Sequence, residues 1–341
     1  MRRLNRPRAA GGVRTLLLIL LALAAGLVAA GAWWLQRPLD LAADSVELSI
    51  APGTAPREIA RGWVAAGVQT SPELLYQWFR WSGQARQIRA GSYEIGRGTT
   101  PRQLLQKMVR GDETMATVRL IEGWNFRQFR AELAKAEALK ASTAAMSEAE
   151  LMAAIGAPGQ SPEGRFFPDT YAYSKGTSDL AVLKRAHRAM QQRLDAAWAQ
   201  RAPDTPLKSP DEALILASIV EKETGAAADR GKVAGVFANR LRIGMPLQTD
   251  PTVIYGLGEG FDGNLRKRDL LADGPYNTYT RGGLPPTPIS MPGEASLKAA
   301  LKPDPTRALY FVARGDGSSE FSESLEQHNR AVNRYQRGQG K

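Results

Sequence analysis

Between Arg14 and Arg37 the chain carries no charged side chain; the run reads TLLLILLALAAGLVAAGAWWLQ. About 20 apolar residues suffice to cross the hydrocarbon of a bilayer as a helix. A helix is also the one single-segment form that satisfies its own backbone there. Arg2, Arg3, Arg6, Arg8 and Arg14 precede the run, and an excess of positive charge marks the cytoplasmic side. Trp33 and Trp34 lie at its far end, where aromatic rings sit at a membrane–water interface. A cleaved signal peptide has a shorter apolar core, about 7–15 residues, ending in small residues at the cleavage site. Residues 15–36 are therefore expected to form a single-pass transmembrane helix, with 1–14 a cytoplasmic basic tail. The remainder then lies outside the cytoplasm, in the periplasm where the cell has an outer membrane.

This reading also explains the charge. Of the net +11, six units come from those five arginines and Arg37, with no acid before Asp40, which leaves +5 for everything downstream. The high isoelectric point thus belongs largely to the tail and does not argue for a nucleic-acid partner. The absence of cysteine excludes disulfides, thiolate zinc sites and a cysteine nucleophile. With only His187 and His328 there is little from which to build a histidine-rich metal site or a Ser-His-Asp triad, and no cofactor or metal is expected.

Downstream, VELSI (46–50) alternates in the period of a strand. PREIARGWVAAG (56–67) reads as a helix with Thr54 or Ala55 near its cap. SPELLYQWFRWSG (71–83) reads as a second, with Ser71 as N-cap and Pro72 in the first turn. IRAGSYEIG (88–96) returns as a strand, so the order is strand–helix–helix–strand. A Pro-started helix (100–111), a strand (115–123) and a helix capped by Asn125 (125–139) follow, then a polar stretch containing the short helix MSEAELMAAIG. The segment 163–176 is aromatic and broken by proline, hence loop-like. A long amphipathic helix spans 180–200 and another helix about 227–242. The stretch 245–295 is rich in Gly, Pro, Thr, Asn and Tyr with little helical periodicity; a long irregular segment of that kind is more often a functional surface than filler. RALYFVAR (307–314) reads as a strand and SLEQHNRAVNRYQRG as a final helix.

The helix after Ser209-Pro210-Asp211-Glu212, a capping box, contains LILASIVEKETG (214–225). It is apolar nearly all round, which is the pattern of a buried helix, yet its last turn carries Glu221, Lys222 and Glu223. Glu221 falls between the directions of Leu214 and Ala217; Glu223 projects beside Leu216 and Ile219 and is the competing candidate for burial. Desolvation and the negative end of the helix dipole both disfavour a charged carboxylate at such a place. The expectation is a carboxylic acid able to donate a proton near neutral pH.

Several blocks resemble a known family, the endolytic murein transglycosylases (YceG-like), which are membrane-anchored peptidoglycan lytic enzymes. They are EGRFFPDTY (163–171), LASIVEKET (216–224), VFANRLRIGMPLQTDPTVIYGLG (236–258), YNTYTRGGLPPTPISMPGEASLKAAL (276–301), ALYFVA (308–313) and EQHN (326–329). The resemblance implies that Glu221 is the catalytic residue. It also implies that the strand–helix–helix–strand region is LysM-like and binds glycans. Two departures are visible: Thr287 follows Pro286 where relatives usually have glycine, and Ser319 and Glu320 precede Phe321 where relatives usually carry a histidine.

The expected architecture is α+β: a transmembrane helix (15–36), a LysM-like βααβ glycan-binding subdomain (40–112), a mixed α+β catalytic domain (113–335) and a C-terminal tail (336–341). The expected substrate is the glycan strand of peptidoglycan, with a membrane-bound glycan polymerase as the implied protein partner and the bilayer contacted through 15–36. Gln248, Thr249, Asp250, Tyr255, Tyr276, Asn277 and Tyr279 are candidate glycan contacts, and Glu163 and Asp169 candidates for capping a loop or lining the groove. No partner carboxylate for Glu221 is evident. The rival readings are a peptidoglycan-binding scaffold without activity and a lysozyme-type hydrolase.

Overall fold

The structure is a computed structural model and describes residues 10–337, so most of the basic tail (1–14) and of the C-terminal tail (336–341) lies outside the described residues. The chain divides after Ala116 into two compact units.

The first unit opens with helix α1 (Ala10–Gln36), whose stretch Thr15–Gln36 is long and apolar enough to cross a membrane and is exposed along its length. Strand β1 (Ser45–Ile50), helices α2 (Pro56–Ala66) and α3 (Pro72–Trp81), strand β2 (Gly91–Gly96) and helix α4 (Pro101–Arg110) follow. The expected strand–helix–helix–strand order is present, and β1 and β2 pair antiparallel with Val46 opposite Ile95 and Leu48 opposite Tyr93. Local chemistry explains the boundaries. Ala55 rather than Thr54 takes the N-cap of α2, with Glu58 reaching back to its amide, and Ser71 caps α3 by accepting the Leu74 N–H. Thr100 and Gln103 close a reciprocal capping box on α4, which ends at left-handed Gly111. Trp63, Phe79, Leu75 and Tyr93 are fully buried at the centre. The Tyr93 hydroxyl donates to the backbone carbonyls of Arg89 and Met108, which satisfies its polar end.

In the second unit, β3 (Met115–Arg119) pairs with β4 (Thr170–Ser174). Helices α5 (Phe126–Lys135) and α6 (Glu148–Ile155) lie between them in sequence. The strand β4 corrects the loop-like reading of 163–176: beyond Pro168 the alternating Tyr171 and Tyr173 are buried, and Leu120 N–H donates to the Asp169 carbonyl at 2.9 Å. Next come α7 (Asp179–Ala199), α8 (Pro210–Glu223), α9 (Arg230–Arg242), α10 (Asp250–Leu257), α11 (Lys267–Leu271) and α12 (Glu294–Leu301). The hairpin β5 (Tyr310–Ala313) and β6 (Ser319–Ser322) and helix α13 (Leu325–Val332) end the unit. Helices α10 and α11 correct the irregular reading of 245–295; they are too short to show a period, and proline opens α10.

Helix α8 is the axis of this unit. Every residue from Ala213 to Val220 is buried, and α7, α9, α10 and α12 pack around it. Each fully buried Leu, Ile or Val there contributes about 1.5–3 kcal/mol of hydrophobic stabilisation. The last turn of α8 is therefore held rigidly by the turns before it.

Candidate active site

The only polar residue within the buried stretch of α8 is Ser218. Its Oγ donates to the Ile215 carbonyl at 2.7 Å and accepts the Ile289 N–H at 3.0 Å. Ser290 Oγ donates back to the Ser218 carbonyl at 3.1 Å. One turn before Glu221, the helix thus grips the segment 289–293. That segment is tied in turn to the turn after β3, because Gly123 N–H donates to the Met291 carbonyl (2.9 Å) and Met291 N–H to the Trp124 carbonyl (2.7 Å).

These two backbone segments frame Glu221. Gly293 N–H donates to its Oε2 at 2.9 Å; among the described residues its Oε1 has no hydrogen-bond donor. Glu221 is half-buried, not enclosed, so the expected dry pocket is only partly formed. Lys222 is exposed, and its ammonium donates to the Gly123 carbonyl at 3.3 Å.

Glu122 is the residue that sequence reasoning missed. Its carboxyl lies against Gly293 so closely that a Cβ there would stand 2.0 Å from Oε1. Glycine at 293 is what lets two carboxyls, Glu122 on one side and Glu221 on the other, approach the same peptide. Burial first and the charge of Glu221 second push the Glu122 carboxyl above the ordinary range, while Arg230 pulls it down. Nothing in the local sequence EGW announces this, because Glu122 and Glu221 lie far apart in the chain and both approach Gly293.

Glu223 is the more desolvated carboxyl of the last turn, the alternative noted from sequence. Burial raises its affinity for a proton, Thr249 Oγ1 donates to it, the charge of Asp250 raises it further and Arg240 opposes. Buried Arg240 clamps this corner, donating to the carbonyls of Leu309 and Leu247, each at 2.7 Å.

The candidate glycan contacts divide into two sets. A cleft of about 810 Å³ contains Glu163, Tyr255 and Tyr276 in its wall, with Gly123 and Lys222 beside Glu221. Tyr255 and Tyr276 meet edge to face at 4.9 Å, and Tyr255 donates to Glu163 at 3.1 Å. Glu163 also accepts the Phe126 N–H at the start of α5 with both oxygens, at 3.1 and 3.2 Å, so it caps that helix from within the cleft wall. Its burial is the main cause of a pKa pushed up to about 7. The other set lies apart from the cleft wall. Thr249 is buried and turned to Glu223, while Asp250 accepts the Tyr279 hydroxyl at 2.5 Å. Exposed Gln248 adopts a left-handed backbone (φ 49°) beside them. Asn277 is buried and spends its amide on the carbonyls of Asp269, Leu270 and Ala272, a loop clamp. Exposed Asp169 lies just before β4, and its carboxylate accepts the Thr170 N–H.

No group of three or more His, Cys, Asp or Glu able to hold a metal occurs among the described residues. What the site offers is proton chemistry: a half-buried carboxyl with one oxygen held by a backbone N–H, a second carboxyl nearby, and a cleft walled by tyrosines.

The profile of the YceG-like family matches residues 48–334. A Bacillus subtilis protein named endolytic murein transglycosylase is 40% identical over 173 residues, 51% of this chain and 48% of that protein. A Streptococcus pneumoniae protein of the same name is 32% identical over 179 residues, 50% of this chain and 31% of that protein. The chain thus matches about half or less of the length of these relatives. The crystal structure of a yceG-like protein from Listeria monocytogenes superposes with a TM-score of 0.53 at 28% identity, covering 84% of this chain and 98% of that one. With the family profile spanning both units, the chain belongs to the YceG-like family.

Proposed function

We propose that the protein is a membrane-anchored endolytic lytic transglycosylase that cuts the β-1,4 bond between N-acetylmuramic acid and N-acetylglucosamine in peptidoglycan. Glu221, protonated, gives its hydrogen to the leaving glycosidic oxygen as positive charge grows at the anomeric carbon. The same group, now a carboxylate, takes the proton of the muramoyl C6 hydroxyl as that oxygen attacks. The bond to the leaving sugar breaks, the C6 oxygen to C1 bond forms, and the product ends in a 1,6-anhydro sugar. One carboxyl serves both transfers.

The observation that carries this reading is the Glu221 carboxyl itself: Oε2 is held by Gly293 N–H, and among the described residues Oε1 has no donor and is left for a substrate oxygen. Glu122 faces the same glycine, and burial and the charge of Glu221 hold its carboxyl above the ordinary range. The tyrosine-walled cleft fits sugar faces, and the relatives' name fits the chemistry. Helix α1 would tether the enzyme at the inner membrane beside newly made strands, with 1–14 in the cytoplasm, so that cutting ends strand elongation by a neighbouring synthase. The first unit, LysM-like in element order, would hold the strand.

The Glu122–Glu221 pair also favours a second reading, a hydrolase in which one carboxylate activates water. Mass spectrometry of products made in heavy-oxygen water separates the two. Anhydromuramoyl ends without label support the transglycosylase; labelled reducing ends support the hydrolase. Glu221→Gln should lower the rate by a factor on the order of 10²–10⁴, whereas Glu223→Gln should keep it within a few-fold. Unchanged turnover in Glu221→Gln would sink the assignment.

A further inference from the structure

A second hollow, of about 560 Å³, shares no wall residue with the cleft and has neither Glu122 nor Glu221 in its wall. It is bounded by α7, the start of α9, α12 and the residues just after α12. Glu294, next to the Gly293 that holds Glu221, is in its wall, and so is Arg230, whose charge acts on Glu122. Six alanines line it and leave its width open.

Its charges do not cancel internally. Glu294 is matched by Lys298 at 2.6 Å and Arg193 at 4.0 Å, and Arg193 also lies over the Phe167 ring at 3.8 Å. Asp304 turns its carboxyl against Gly231 in the first turn of α9, where a Cβ would come within 2.3 Å of it. Arg230 and Lys302 remain. Lys302 is exposed, and Arg230 has a buried Nε with no hydrogen-bond partner among the described residues. A buried donor without an acceptor is costly and rare, and a guanidinium is shaped to grip a carboxylate.

The geometry points to a subsite for a carboxylate-bearing peptide with small side chains, the substituent that muramic acid carries in peptidoglycan, gripped by Arg230 and Lys302. It rests on the lytic reading and narrows the substrate to strands that keep their peptides.

Two measurements test it. The full chain carrying Glu221→Gln, in detergent, is titrated calorimetrically with a stem tripeptide released from peptidoglycan. Saturable, salt-sensitive binding that weakens about tenfold in Arg230→Gln and in Lys302→Ala is expected, since a lost charge-assisted hydrogen bond is worth about a decade in affinity. No saturation, or equal affinity in both variants, overturns the subsite. The active protein is then given peptide-bearing strands and strands stripped by an amidase. A preference of about tenfold for the former, falling toward parity in the two variants, is expected; parity in the parent protein overturns the proposal. If neither strand is cut, the lytic reading fails, while the titration still decides the subsite.

Discussion

Glu122 and Glu221 lie far apart in the chain and meet at the candidate site through Gly293. Glu122 is an unremarked acid in its own stretch, and the missing side chain at Gly293 leaves room for its carboxyl. The charged groups facing Glu122 are Glu221 and Arg230, and the first disfavours ionisation while the second favours it. Replacing Glu122 by glutamine removes a carboxyl whose proton affinity burial and the charge of Glu221 raise. The pH–rate profile should therefore change shape as that ionisation is lost, with kcat reduced and KM little changed. A profile that stays in place with only the amplitude lowered would mean that Glu122 serves packing alone. Glu223, raised in proton affinity by burial, accepts a hydrogen bond from Thr249, and neither of the two is in the cleft wall.

Hydrogen-bonded side chains join the elements that frame the candidate site. Ser218 ties α8 to the segment 289–293. Ser218→Ala leaves the buried Ile289 N–H without its acceptor, so unfolding in urea should report a loss of about 1–3 kcal/mol. Turnover should fall as well, because Gly293 is on the segment released. Glu163 joins α5 to α10 through Phe126 and Tyr255. Its pKa rises from 4.5 to about 7 on folding, so the native state holds a proton that the unfolded chain has already lost. Its contribution is complete below pH 4.5 and declines as pH rises toward 7, by up to about 3 kcal/mol, then levels off. Glu163→Gln keeps an acceptor for Phe126 and Tyr255 but does not titrate. Urea midpoints compared between pH 4.5 and 8 should fall with pH in the parent more steeply than in the variant, and equal slopes would contradict the burial argument. Glu223 contributes in the same direction in both proteins and drops out of the comparison.

At the level of the whole chain, α1 is distinct in composition from the residues that follow it, and solubility should divide the same way. The full chain is expected to sediment with membranes and resist alkaline carbonate, while a chain lacking 1–36 should stay in the supernatant. Release of the full chain by carbonate would argue against a span.

Periodicity and capping chemistry determined much from the sequence alone. The membrane-length helix, the strand–helix–helix–strand order and the buried helix α8 were legible because each depends on neighbours within a few residues: Ser71 on Leu74, Thr100 on Gln103, an apolar face on its own repeat. Glu221 stood out because a carboxyl at the end of such a helix conflicts with its surroundings. The strand β4, the short helices α10 and α11, the sorting of the cleft-wall tyrosines from the Thr249 and Asn277 clamps, and the approach of Glu122 were not legible. They depend on contacts between residues tens to more than a hundred positions apart, and a carboxyl's partners in space are set by the fold that buries α8, not by the residues beside it in the chain.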